Sequence, residues 1–104
     1  MTISRERLDA TAIYNAEWIT VGNHQQLDLK PEGDALEKPQ YATHLKIQTL
    51  DQNIRYSISD AVPATPTLGF QLAAGSDVTL PCPENRITVA EEAAGAIIEY
   101  QWLR

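Results

Sequence analysis

Short runs of alternating apolar and polar residues, each cut off by glycine, proline, asparagine or aspartate, most constrain what this chain can fold into. Ile54-Arg55-Tyr56-Ser57-Ile58-Ser59 is one such run, and Ala42-Thr43-His44-Leu45-Lys46-Ile47-Gln48-Thr49-Leu50 is another. A period of two places Leu45 and Ile47 on one face of a strand and His44, Lys46 and Gln48 on the other. Nowhere does a long run with helical period appear. Short alternating segments spaced by turn residues are the pattern of a sandwich or small barrel, with about eight short strands in this chain. The expected fold is therefore an all-β, single-domain antiparallel β-sandwich of jelly-roll type.

Taken in order, residues 1–11 are charged and patternless and read as an N-terminal arm, leaving residues 12–104 as the sandwich domain. Arms of this kind order when a neighbour holds them. Trp18-Ile19-Thr20-Val21 is β-branched and aromatic and predicts a strand, with Gly22-Asn23 as a two-residue hairpin turn into Leu27 and Leu29. Residues 30–40, carrying Pro31, Gly33 and Pro39, read as the longest loop. The runs Ala42 to Leu50 and Ile54 to Ser59, joined by Asp51-Gln52-Asn53, predict a hairpin. Pro63 and Pro66 interrupt any ladder between Asp60 and Leu68. Phe70-Gln71-Leu72, Val78-Thr79-Leu80 and Arg86-Ile87-Thr88-Val89 follow as short strands. Glu91 to Gly95 turns the chain into a last strand, Ala96 to Leu103. That strand is apolar on both faces, with Ile98, Tyr100 and Trp102 on one and Ile97 and Leu103 on the other. Burial on both sides, centrally or against another subunit, is expected for it.

Composition bounds the function. The chain has 104 residues, 43% of them hydrophobic and 21% charged, which is the make-up of one folded domain rather than a disordered chain. A net charge of −6 disfavours direct binding of nucleic acid through a basic surface. Cys82 is the only cysteine, so no intrachain disulfide forms, and its setting between Pro81 and Pro83 reads as that of a small buried apolar residue. No apolar run reaches the ~20 residues of a membrane span. The first residues lack the apolar core of a signal peptide, so synthesis in the cytoplasm is expected.

Residues that carry chemistry are sparse. His24 and His44 each lie on a polar strand face with no second histidine at metal-ligand spacing, so neither a metal nor another cofactor is expected. Glu32, Asp34 and Glu37 lack the spacing of a calcium loop. Glu91, Glu92, Asp28 and Asp34 sit in polar, turn-like surroundings and read as surface charge, whereas a catalytic carboxylate pair needs one member in an apolar pocket. No nucleophile elbow surrounds any serine. Tyr56, Tyr100 and Trp102 read as core, while Tyr14, Trp18 and Tyr41 are candidates for a sugar-stacking platform. The expectation is a protein that is not an enzyme.

Arg55-Tyr56-Ser57-Ile58-Ser59-Asp60, then Ala64-Thr65-Pro66-Thr67-Leu68-Gly69-Phe70-Gln71-Leu72, then Ala74-Gly75 and Val78-Thr79-Leu80 resemble small β-sandwich virion proteins of tailed bacteriophages. Arg86-Ile87-Thr88-Val89 and Ala96-Ile97-Ile98-Glu99-Tyr100 resemble their closing strand pair, so the likeness covers the C-terminal half. It implies a capsid decoration or cement protein, seated on the virion surface. The implied partners are the major capsid protein and further copies of the chain, with a homotrimer favoured. Alternatives are a head–tail connector or tail component, and a carbohydrate-binding sandwich module. Interface candidates are Ser4, Arg5, Arg7 and Leu8 in the arm, Glu32, Asp34 and Glu37 in the 30–40 loop, and Ile97 and Leu103 on the last strand.

Overall fold

In the computed structural model, residues 18–104 are described. The arm, Ser4, Arg5, Arg7 and Leu8 within it, and Tyr14 lie outside them. The described residues form eight strands: β1 (Thr20–Asp28), β2 (Asp34–Glu37), β3 (His44–Thr49), β4 (Ile54–Ser57), β5 (Phe70–Leu72), β6 (Asp77–Pro81), β7 (Arg86–Glu91) and β8 (Ile97–Leu103). They make two four-stranded antiparallel sheets, in the orders β1-β8-β3-β6 and β2-β7-β4-β5. The pairs β1–β8, β2–β7, β3–β6 and β4–β5 are nested one inside the next. That is the jelly-roll arrangement: one long folded-over ribbon wrapped into a sandwich.

Nesting corrects the expected local pairings. Only β4 and β5 are both consecutive and paired. The predicted hairpin across Asp51-Gln52-Asn53 is not one, because β3 and β4 belong to opposite sheets and those residues carry the chain between layers. Alternation shows which face of a strand is buried, but it is blind to which sheet the strand joins. Gly22-Asn23 is likewise no turn. Both lie inside β1, which advances from Val21 to Gln25 while β8 advances only from Trp102 to Tyr100. The surplus is absorbed as a bulge, and Gly22 takes φ +76° there. The 30–40 segment is not wholly loop, because it contains β2. β2 exists through its ladder to β7 and through Leu36, which is buried between exposed neighbours. A four-residue strand with acidic ends has too little pattern to show in the sequence.

The inward positions of both sheets form one core. Leu45 and Ile47 of β3, Ile98 of β8, Ile54 of β4, and Ile87 and Val89 of β7 are fully buried. Each contributes about 1.5–3 kcal/mol by leaving water. Leu36, Leu72, Leu80, Cys82 and Trp102 complete the cluster, and Tyr56 and Tyr100 pack against it half-buried. β8 is central in its sheet, between β1 and β3, but burial on both faces is not uniform: Ile98 and Trp102 are buried on the inner face, while on the other face Leu103 is buried and Ile97, Glu99 and Gln101 are half-buried.

The β4–β5 connection is tied down at several points. Pro63 and Pro66 fix φ at two points, and Thr65 and Leu68 exchange backbone hydrogen bonds of 2.9 and 3.2 Å between them. The Ala64 N–H donates to Thr88 Oγ1 at 2.9 Å, and Ser57 Oγ donates to the Val62 carbonyl at 2.7 Å. Gly69 then enters β5 at φ +122°.

Candidate partner-binding surface

Apolar side chains left in water gather at two places on the sandwich. The first is an edge of the second sheet, where among the described residues β5 has β4 on one side and no strand on the other. Phe70 is 68% exposed, and Val62 and Leu68 are about half exposed. β4 holds them in one neighbourhood. Tyr56 is the ladder partner of Phe70, with ring centroids 5.8 Å apart, and the next residue, Ser57, binds the Val62 carbonyl. Leu68 follows from the Thr65–Leu68 turn. Exposed apolar residues beside an open strand edge are the features from which docking surfaces are built.

The second is the corner where β1 begins and β8 ends. Ile19 and Arg104 exchange both backbone hydrogen bonds there, at 3.0 and 2.9 Å, and the Thr43 N–H donates to the Leu103 carbonyl at 2.8 Å. Trp18, Ile19 and Tyr41 are all more than half exposed. The Trp18 ring lies 4.6 Å from that of His44, tilted by 50°. Tyr41 occupies the left-handed region at φ +75°, in a turn closed by Ala42 N–H to the Pro39 carbonyl. Holding a tyrosine there costs on the order of 1 kcal/mol.

Several charges of the second sheet are paired. Arg55 Nε lies 2.6 Å from Glu92 Oε2 and Gln71 Nε2 lies 2.8 Å from the same oxygen, and the Gln71 bond and then the Arg55 bond hold the Glu92 carboxyl below its ordinary range. Arg86 Nε is 3.1 Å from Glu37 and 3.9 Å from Asp60. Asp34 accepts from both the Lys30 backbone N–H and its ammonium, and that bond raises the lysine pKa.

Glu91 departs from the expectation of surface charge. It is buried, and one carboxylate oxygen accepts the Gly95 and Ala96 N–H groups at 3.1 Å each. The carboxylate closes the turn into β8, a role invisible without knowing that β7 ends under that turn. Cys82 is buried as expected, and burial raises its thiol pKa. Among the described residues no group of three or more His, Cys, Asp or Glu side chains is arranged to hold a metal ion. Nor is any helix among them long and apolar enough to cross a membrane.

The interface candidates do not converge. Asp34 and Glu37 are the ends of β2, the other edge of the second sheet, and Glu32 lies in the turn before it, with Glu32 and Glu37 exposed. Ile97 and Leu103 stand at opposite ends of β8 in the first sheet, Ile97 half-buried and Leu103 buried within the chain. Sequence reasoning missed Val62, Leu68 and Phe70 as a surface. The available signal was a large apolar residue following a proline-stiffened loop. No protein-family model matches the chain, and no curated protein matches it.

Proposed function

We propose that this protein is a structural component of a bacteriophage virion, a cement or decoration protein that binds the assembled capsid and reinforces it. The observation that carries the reading is the Val62, Leu68 and Phe70 cluster on the open β5 edge. Leu68 and Phe70 are among the residues that resemble small virion sandwich proteins, and Val62 lies between two of those runs within Ile54 to Leu80. Its partner in this reading is the major capsid protein, and binding only the assembled shell stabilises that shell by mass action. Self-association, with a trimer favoured, and a place on the capsid surface belong to the same proposal. The protein does no chemistry in this role.

The test is to add purified protein to expanded capsids that lack it, and to count its copies in whole particles. Binding to shells but not to free capsid subunits, at a copy number that follows the number of capsid subunits, is expected. A Phe70→Ala, Leu68→Ser double variant that still folds should bind at least about tenfold more weakly. Absence from purified particles overturns the reading, and a copy number matching a single ring at one vertex moves the protein to the head–tail junction.

A further inference from the structure

We infer that the outer face of the β1-β8-β3-β6 sheet is a binding site for a linear oligosaccharide. The ladders fix which side chains share that face. Lys46 lies opposite Gln101 and Gln48 opposite Glu99 between β3 and β8, and Glu99 lies opposite Gln26 between β8 and β1. Their inward neighbours Leu45, Ile47 and Ile98 are in the core. The β1 bulge adds His24 to this face, and bulges commonly re-aim a side chain in this way. Together His24, Lys46, Gln48, Glu99, Tyr100 and Gln101 line an open depression of about 130 Å³.

The depression joins walls made mostly of apolar side-chain stems to polar groups at its rim, the pairing that the carbon face and the hydroxyls of a sugar ring need. Gln101 Nε2 donates to the Gly22 and Trp102 carbonyls at 3.0 Å each, so the amide is fixed before any ligand arrives and offers its carbonyl oxygen as acceptor. Glu99 is steadied by Gln26 Nε2 at 3.4 Å and lies 3.9 Å from His24 Nε2. Lys46 supplies donors and Gln48 supplies both kinds of group. Sugar hydroxyls donate and accept at once, and they match such an alternating field. A phosphorylated ligand would meet the carboxylates of Glu99 and of Asp77, which lies 3.8 Å from Lys46.

A stacking surface continues the same row. His44, Lys46 and Gln48 are alternate residues of β3, and Trp18 lies against His44 with about half its surface free. Two strand repeats separate His44 from Gln48, roughly 13 Å. One sugar ring lies on Trp18, and the hydroxyls of the following units reach Gln101, Gln48 and Glu99. This face is separate from the β5 edge, so the two proposals stand or fall independently.

The test is a tryptophan-fluorescence titration of the full chain with cellohexaose, maltohexaose and chitohexaose, with amide chemical-shift mapping of any complex. Trp18 is the exposed tryptophan and Trp102 the buried one, so the signal reports this face. At least one of the three is expected to bind, with shifts confined to the neighbourhoods of His44, Lys46, Gln48 and Gln101. Trp18→Ala and Gln48→Ala, neither a core residue, should each weaken binding about five- to tenfold, read from the shifts where the fluorophore is lost. Phe70→Ala should leave it unchanged. No binding of any of the three at millimolar concentration overturns the inference, as does binding that survives in both variants.

Discussion

Arg55 of β4 meets Glu92, the residue after β7, with Nε and Oε2 2.6 Å apart, and Gln71 of β5 donates to the same oxygen. One carboxylate thus ties together three neighbouring strands of the second sheet. The Arg55 guanidinium also reaches the Gly69 carbonyl at 3.0 Å, so the contact anchors the start of the exposed β5 edge.

Acid stability should depend on Glu92. Its pKa is lowered in the folded chain by the Gln71 bond first and then by Arg55. A lowered carboxylate pKa gives stability that is present above the unfolded value, about 4.3, and is lost as pH falls through the folded value. Melting temperatures of the parent and Glu92→Gln, measured from neutral pH to about pH 2, should differ at neutral pH and converge in acid. Curves that stay parallel would remove Glu92 from the acid transition.

Gly69→Ala should be the most costly glycine substitution in the β4–β5–β6 region. A Cβ at Gly69 would stand 2.8 Å from the Tyr56 carbonyl oxygen, and φ there is +122°. Urea unfolding should show a loss of about 2–3 kcal/mol. At Gly75, where φ is +79° and the nearest atom is 3.8 Å away, alanine carries only the conformational penalty of about 1 kcal/mol. Equal losses at the two sites would show that the Tyr56 carbonyl moves aside freely.

Glu91 separates a turn-closing carboxylate from a surface one. Glu91→Ala leaves the Gly95 and Ala96 N–H groups without their acceptor and should cost about 1–3 kcal/mol in chemical denaturation. Glu91→Gln keeps an acceptor oxygen and should lose less. A neutral alanine variant would contradict the buried bonding.

Cys82 should resist alkylation in the native chain. It is 3% exposed, and burial raises its pKa, which depletes the reactive thiolate. Iodoacetamide at about pH 8 should label it far more slowly than in urea, read by mass. Equal rates would mean that the Pro81–Pro83 segment opens readily.

The layer architecture was legible from alternation because inward residues such as Leu45, Ile47 and Ile98 recur with period two. The pairing was not. Asp51-Gln52-Asn53 has turn composition whether it joins two strands of one sheet or bridges two sheets, and nothing local distinguishes the cases. β2 hid because only Leu36 marks it. Gly22-Asn23 misled because a glycine in a bulge and a glycine in a hairpin turn have the same local chemistry. Surface anchors were harder still. Phe70 and Leu72 occupy the same parity of one strand, yet Leu72 is buried and Phe70 is mostly in water. The difference is position along the sheet edge, which only the assembled sandwich defines.

The nested strand order also has a kinetic side. β4–β5 alone can zip from a nearby turn, and each outer pair must wait for a longer loop to close. β1–β8, clasped by Ile19 and Arg104, spans almost the whole described chain. Such distant pairing puts refolding in the millisecond-to-second range of sandwiches rather than the microseconds of helical bundles. By loop closure alone the β5 edge is expected to form while the outer ribbon is still open. Aggregation at Phe70 should then compete with folding, and Phe70→Ala should raise the refolding yield at high protein concentration.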